Sequence, residues 1–121
     1  MQLRVLAAPF SVCKVDAFEQ VDFNRPFTFA ACTDEECSLV CPTIDVPIGA
    51  IAREDGWRGF RIEGVLDFSL IGILAGIASL MAENGIAIFA VSTYNTDYVF
   101  LKEESFEKAL QILAQNDYVI I

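Results

Sequence analysis

Apolar and polar positions in the first half of the chain follow a pattern that is typical of strands. Apolar runs cover residues 3–8, 27–32 and 37–42. Only the four residues TDEE separate the last two runs, which predicts a hairpin with an acidic turn. Residues 43–57 contain one proline and two glycines and are predicted to form a connector with at most a short helix. The first half is therefore predicted to be rich in strands and poor in helix.

The second half predicts a regular succession of strands and helices. The predicted elements are, in chain order, a strand over 57–64, a helix over 69–84, strands over 86–92 and 98–102, a helix over 106–115 and a strand over 118–121. Gly85 follows the first helix where a left-handed glycine is favoured, and Ser105 is predicted to cap the second. This βαββαβ order predicts an α+β, ferredoxin-like unit.

One face of the helix predicted over 69–84 carries almost no side chain, because Ser69, Gly72, Gly76 and Ser79 line it. Each interior glycine disfavours the helix by about 1 kcal/mol relative to alanine. Two interpretations account for this cost. The helix packs closely against a sheet or another helix, or Gly72 lets a ligand approach the backbone.

The overall composition excludes several classes of function. The chain has 121 residues, of which 55% are hydrophobic, so it is predicted to fold as one domain or two very small ones. Its net charge of −9 argues against nucleic acid and anionic membranes as partners. The longest apolar run, residues 68–82, is shorter than the roughly 20 residues that a membrane span needs. No signal peptide is evident, and we expect a soluble, cytoplasmic protein.

The four cysteines, Cys13, Cys32, Cys37 and Cys41, are predicted to be thiols that pack as small hydrophobic groups. Nothing in the sequence indicates an oxidising compartment. The chain has no histidine, which disfavours both a zinc site and a catalytic cysteine.

No arrangement of residues typical of catalysis is present. The sequence lacks a G-x-S-x-G motif, a phosphate-binding P-loop and a dinucleotide-binding glycine pattern. We therefore predict that the protein is not an enzyme, and no cofactor is implied.

The segment STYNTDY, residues 92–98, is more polar than a turn requires. Its Thr93, Tyr94 and Asp97 are candidates to receive an ammonium or another cationic group. The loop of residues 63–72 precedes a helix, whose unpaired N–H groups and positive dipole end suit a carboxylate. The same loop has an ordinary alternative as a helix cap. A carboxylate site beside a cation acceptor would suit an amino acid.

The second half resembles an ACT domain, the small-molecule regulatory module of amino-acid metabolism. The resemblance runs through LIGILAGIASLMAENGIAIFAVSTY and is most specific in STYNTDYVFL, which is similar to the subgroup found in cytosolic arginine sensors and in small bacterial proteins. The stretch FTFAACTDEECSLVCP resembles the N-terminal hairpin of that subgroup. The resemblance implies a degenerate, strand-rich ACT-like half over 1–58 and a C-terminal ACT domain over 59–121.

The resemblance also implies an effector-binding role, with the ligand held between two ACT units. The ligand contacts of the sensors fall on Asp67, Gly72, Ile73, Leu74, Ala87, Ile88, Thr93, Tyr94 and Asp97 of this chain. Asp67 and Leu70 differ from the residues of the sensors, which argues against arginine as the ligand.

Two functions follow as alternatives. The first is an amino-acid-binding regulatory protein, and the second is a module that keeps the ACT shape only for assembly. Both faces of the strand predicted over 86–92 are apolar, which favours a homodimer or larger homo-oligomer under either function.

Overall fold

Eight strands and two α-helices make up the fold of the computed structural model, which describes residues 1–66 and 71–121. The elements are β1 (Gln2–Val5), β2 (Phe10–Val15), β3 (Phe29–Cys32), β4 (Cys37–Pro42), β5 (Ala52–Ile62), α1 (Ile73–Glu83), β6 (Phe89–Ser92), β7 (Asp97–Lys102), α2 (Glu103–Gln115) and β8 (Val119–Ile120). A short 3-10 helix, Thr43–Asp45, follows β4. The predicted α+β class is confirmed. The chain divides into a larger unit, residues 1–7 and 58–121, and a smaller unit, residues 8–57.

The larger unit contains the predicted βαββαβ succession, which runs from β5 to β8. Its strands lie in the order β8-β1-β5-β7-β6. Strand β1 is antiparallel to β5 and parallel to β8, so the N-terminal strand lies between the first and last strands of the succession. Strands β6 and β7 form an antiparallel hairpin.

Both helices pack on one face of this sheet. Alternate residues of β1, β5 and β7 point to that face, where they meet one side of each helix. The fully or nearly fully buried members of this core are Leu3, Phe60, Ile62, Ile77, Met81, Ile86, Val99, Leu101, Phe106, Ala109 and Leu113. In the described part of the chain, neither helix combines the length and hydropathy that a bilayer crossing requires.

Several predicted boundaries of the larger unit are wrong. Helix α1 begins at Ile73, because Gly72 adopts a left-handed backbone with φ of 81°; residues 69 and 70 lie outside the described residues. Strand β6 begins at Phe89, three residues later than predicted. The predicted cap at Ser105 is also wrong, since α2 starts at Glu103 and Lys102 is its N-cap residue. The left-handed glycine after α1 is confirmed by a φ of 70° at Gly85.

The smaller unit is formed by four antiparallel strands in the order β3-β4-β2-β5. Of β5, it contains residues 52–57, and the rest of the strand belongs to the larger unit. The hairpin of β3 and β4 was predicted, but β2 was not. The connector predicted over residues 43–57 is wrong from Ala52 onward, where the chain pairs with β2. Gly56, with φ of 86°, lies where the pairing shifts register between Phe10 and Val12, so the glycine belongs to a β-bulge.

The cysteines differ from the prediction in one pair. Cys32 and Cys37 lie opposite each other in the β3–β4 register and form a disulfide, which corrects the expectation of four thiols. Cys13 and Cys41 are buried thiols in contact with each other, as expected for small core groups. Burial raises the pKa of both, that of Cys41 to about 12, so both stay protonated.

Candidate functional site

The start of α1 leaves several backbone N–H groups without a partner inside the helix. The first intrahelical bond runs from the Gly76 N–H to the Gly72 carbonyl, at 2.9 Å. The N–H groups of Ile73, Leu74 and Ala75 precede this bond and have no acceptor within the helix. Gly72 provides no side-chain cap, and the first turn of α1 contains no acidic residue. The positive end of the helix dipole is therefore not neutralised by its own first turn.

The β6–β7 hairpin brings polar side chains to the same end of the sheet. Its last paired residues are Ser92 and Asp97, and the Ser92 hydroxyl donates to Oδ1 of Asp97 at 2.6 Å. The turn between them is closed by the Thr93 N–H, which donates to the Thr96 carbonyl at 2.9 Å. Asp97 thus belongs to the strand pair rather than to the turn, and its side chain is half-buried.

These two features meet in one pocket of about 270 Å³. It is lined by residues 72–75, residues 92–97 and Leu66, and we call it the site pocket. The Leu66 N–H donates to the Asn95 carbonyl at 2.7 Å, which ties the chain before α1 to the hairpin turn. The volume lies just below the range of about 300–1,000 Å³ typical of drug-sized ligands, so it suits a smaller molecule.

The lining of the site pocket combines a carboxylate with the positive end of a helix dipole. Asp97 is the one charged residue of the described lining, which contains no lysine or arginine. Residues 73–75, at the start of α1, line the same pocket. An anionic group fits at the helix start and a cationic group at Asp97, which together match a zwitterion.

Two arginines of the larger unit, Arg4 and Arg61, interact with another carboxylate. Glu63 accepts hydrogen bonds from Arg4 at 3.0 Å and from Arg61 at 3.1 Å. Hydrogen bonds from these two guanidinium groups hold the pKa of Glu63 below its usual value. Arg4 and Arg61 are thus engaged outside the site pocket.

The site pocket contains six of the nine predicted contact residues, namely Gly72, Ile73, Leu74, Thr93, Tyr94 and Asp97. Two others, Ala87 and Ile88, are not part of its lining. They precede β6, at the end of that strand far from the turn; Ala87 is exposed and Ile88 packs against the core. Asp67 lies outside the described residues.

Five lining residues were not predicted as contacts: Leu66, Ala75, Ser92, Asn95 and Thr96. Ser92, Asn95 and Thr96 belong to the polar segment STYNTDY, so their position in that segment was the signal that could have found them. Leu66 had no comparable signal, because its place depends on a backbone hydrogen bond to Asn95.

Thr96 has a structural role in the hairpin. Its side chain is buried and its hydroxyl donates to the Ile62 carbonyl at 2.6 Å. We expect Thr96→Val to lower the free energy of unfolding by about 1–2 kcal/mol, because the Ile62 carbonyl loses this donor. Thr93→Val, at an exposed position, should lower the free energy of unfolding by less than about 0.5 kcal/mol. Urea unfolding of both variants measures the difference, and equal losses would contradict this role of Thr96.

Solved structures of known proteins share this fold. A protein from Agrobacterium tumefaciens is 27% identical, with a TM-score of 0.87 over 99% of this chain and 91% of that chain. A Vibrio cholerae protein of unknown function, described as a possible transport protein, is 20% identical, with a TM-score of 0.70 over 94% and 88%. The regulatory subunit of aspartate kinase from Thermus thermophilus is 12% identical, with a TM-score of 0.65 over 95% and 97%. At these identities the likeness establishes the fold.

Sequence comparison identifies the family. No curated protein matches the chain at a significant level. The family model described as the ACT domain matches residues 52–115. At the level of the family, this match supports a ligand-binding, regulatory role. Because the match covers more than half of the 121 residues, the chain belongs to the ACT domain family.

Proposed function

We propose that this protein is a non-catalytic regulatory sensor that binds an amino acid in the site pocket. The observation that carries the proposal is that one small pocket is lined both by the start of α1, whose first N–H groups have no acceptor within the helix, and by the Asp97 carboxylate. The α-carboxylate of the ligand accepts hydrogen bonds from residues 73–75, and its ammonium contacts Asp97. Ser92, Thr93 and Asn95 supply neutral polar groups for the ligand side chain.

We further propose that a second ACT unit, from another copy of the chain, covers the ligand in a homodimer or larger homo-oligomer. Large apolar side chains beside the site pocket support this arrangement, since Val65, Ile71 and Tyr94 are 74%, 90% and 81% exposed. Exposed large apolar side chains near a pocket are typical of interaction surfaces. Sedimentation should then show a species larger than 13.3 kDa at micromolar concentration.

The alternative function is an assembly module without a ligand. The observation in its favour is that several polar groups of the site pocket already have partners. Ser92 donates to Asp97, and the Thr93 and Thr96 hydroxyls donate to backbone carbonyls. Under this alternative the polar segment stabilises only the hairpin.

A thermal-shift screen against the twenty amino acids separates the two functions, because a ligand that binds the native state raises the melting temperature. For the best amino acid, the C-terminal amide and the N-acetyl derivative are matched controls. The first lacks the carboxylate and the second lacks the ammonium, so neither should raise the melting temperature comparably. If none of the twenty amino acids produces a shift, the assembly function is favoured.

Gly72 and Gly85 provide a matched pair of variants. Both have positive φ and open space where a Cβ atom would lie, so alanine at either position should destabilise the fold by about 1–2 kcal/mol through backbone strain. Of the two, Gly72 alone lines the site pocket. We expect Gly72→Ala to weaken ligand binding, and Gly85→Ala to leave it unchanged in calorimetric titrations. Equal affinities in the two variants would place the ligand elsewhere.

A further inference from the structure

The four cysteines of the smaller unit form two pairs with opposite properties. Cys13 and Cys41 are buried thiols, with 3% and 1% of their surface exposed. Cys32 and Cys37 are joined in a disulfide near the surface, where Cys32 is exposed and Cys37 half-buried. A solvent-borne thiolate therefore has access to Cys32 but not to the buried pair.

We propose that the Cys32–Cys37 disulfide is a reversible redox site that is opened by neutral or cationic thiol reductants, while Cys13 and Cys41 stay inert. Exposed disulfides are in general the labile ones, because exchange requires attack of a thiolate on an accessible sulfur. Neither the ACT assignment nor the proposed amino-acid site involves these cysteines, so this inference is independent of both.

The pairing of β3 and β4 makes the opening reversible. Cys32 and Cys37 are opposite residues in a four-pair register that extends back to Phe29 and Val40. The Thr33 N–H also donates to the Glu36 carbonyl at 2.8 Å, just beyond the disulfide. These backbone bonds hold the two sulfurs together after reduction, so a small disulfide oxidant can close the same bond again by thiol–disulfide exchange and is itself reduced to two thiols. In the smaller unit, β3 pairs only with β4, so opening the disulfide loosens an edge strand.

The turn between the two cysteines determines which reductants react fast. Asp34, Glu35 and Glu36 place three carboxylates between the sulfurs. The Thr33 hydroxyl accepts hydrogen bonds from the Glu35 and Glu36 N–H groups, both at 3.1 Å, which fixes this acidic turn beside the disulfide. Its field repels an anionic thiolate and attracts a reductant that carries a positive charge.

The reaction with a dithiol reductant is balanced as a two-electron exchange. A reductant thiolate attacks Sγ of Cys32, the Cys32–Cys37 bond breaks, and Cys37 leaves as a thiolate that takes up a proton. The second thiol of the reductant then attacks the mixed disulfide, and Cys32 leaves in the same way. The reductant ends as a disulfide and the protein as a dithiol.

Counting thiols in the native protein tests the redox site. We expect a maleimide reagent to modify no cysteine of the oxidised protein, two after treatment with dithiothreitol, and four only after denaturation. Mass spectrometry of peptides should assign the two labels to Cys32 and Cys37. After removal of the reductant, a small disulfide oxidant should re-form the Cys32–Cys37 disulfide. Labelling of Cys32 and Cys37 before reduction, or no labelling after it, would overturn the proposal. The Cys32→Ser/Cys37→Ser variant is the control and should give no native labelling.

The role of the acidic turn is tested with two monothiols, cationic cysteamine and anionic 3-mercaptopropionate. The measured quantity is the rate at which cysteamine reduces the disulfide, divided by the rate for 3-mercaptopropionate. In the Asp34→Asn/Glu35→Gln variant, this ratio should fall roughly threefold or more at low ionic strength, because electrostatic steering by the turn is lost. The Glu83→Gln/Glu107→Gln variant removes two exposed charges from the helices and should leave the ratio unchanged. An unchanged ratio in the turn variant would contradict selection of reductants by charge.

Discussion

Asp97→Asn is expected to weaken amino-acid binding roughly 10- to 100-fold while leaving the fold intact. A charge-assisted bond to an ammonium contributes about 1.5–3 kcal/mol, and the substitution removes the charge while keeping the shape. Asparagine retains an oxygen that accepts the hydrogen bond of the Ser92 hydroxyl. The free energy of unfolding without ligand should therefore change by less than about 0.5 kcal/mol. Calorimetric titration of both proteins measures the loss of affinity.

Ser92→Ala is the control for the structural role of this carboxylate. It removes the hydroxyl that donates to Asp97 but keeps the negative charge, so the affinity should fall far less than in Asp97→Asn. Equal affinity of wild type and Asp97→Asn would assign Asp97 to the hairpin alone.

Gly59→Ala is expected to destabilise the larger unit by about 1–3 kcal/mol, which lowers the melting temperature by roughly 4–12 °C. A Cβ atom at Gly59 would lie 2.7 Å from two ring carbons of Phe100 and 3.2 Å from the Val99 carbonyl oxygen. The ring cannot move aside easily, because Phe100 is fully buried and stacks on Phe89 with ring centroids 5.1 Å apart. Calorimetric melting of the two proteins gives the difference.

A second substitution tests whether the Phe100 ring is the cause. Phe100→Leu should be less harmful in the Gly59→Ala background than in the wild type, because the smaller side chain removes the clash. Gly76→Ala is a control of opposite sign. Its Cβ atom would lie 3.5 Å from the Tyr118 hydroxyl, an ordinary contact, so the helix should gain up to about 1 kcal/mol. Additive effects at positions 59 and 100 would contradict the clash.

The parts of the fold set by local patterns were predictable. The helix predicted over 106–115 is present as α2, whose Phe106, Ala109 and Leu113 are buried. The hairpin of β3 and β4 follows from two apolar runs around an acidic turn. The site pocket could be anticipated because its two main parts are short continuous segments. A polar segment after a strand and a glycine before a helix are visible without tertiary information.

The features that depend on long-range pairing were not predictable. Strand β1 lies between β5 and β8, although nothing within residues 2–5 identifies these partners. The glycine at position 56 predicted a connector, whereas it belongs to a bulge that lets β5 continue. Polarity alone also could not distinguish the buried Thr96, whose hydroxyl bonds to the Ile62 carbonyl, from the exposed polar residues of the same segment.

The proposed amino-acid site is tested most directly by amide chemical-shift mapping during titration with the best amino acid of the screen. We predict saturable shifts that are largest at residues 72–75 and 92–97, with the amides of the smaller unit nearly unchanged. Absence of saturable shifts with all twenty amino acids, or shifts centred on residues 8–57, would contradict the proposed function.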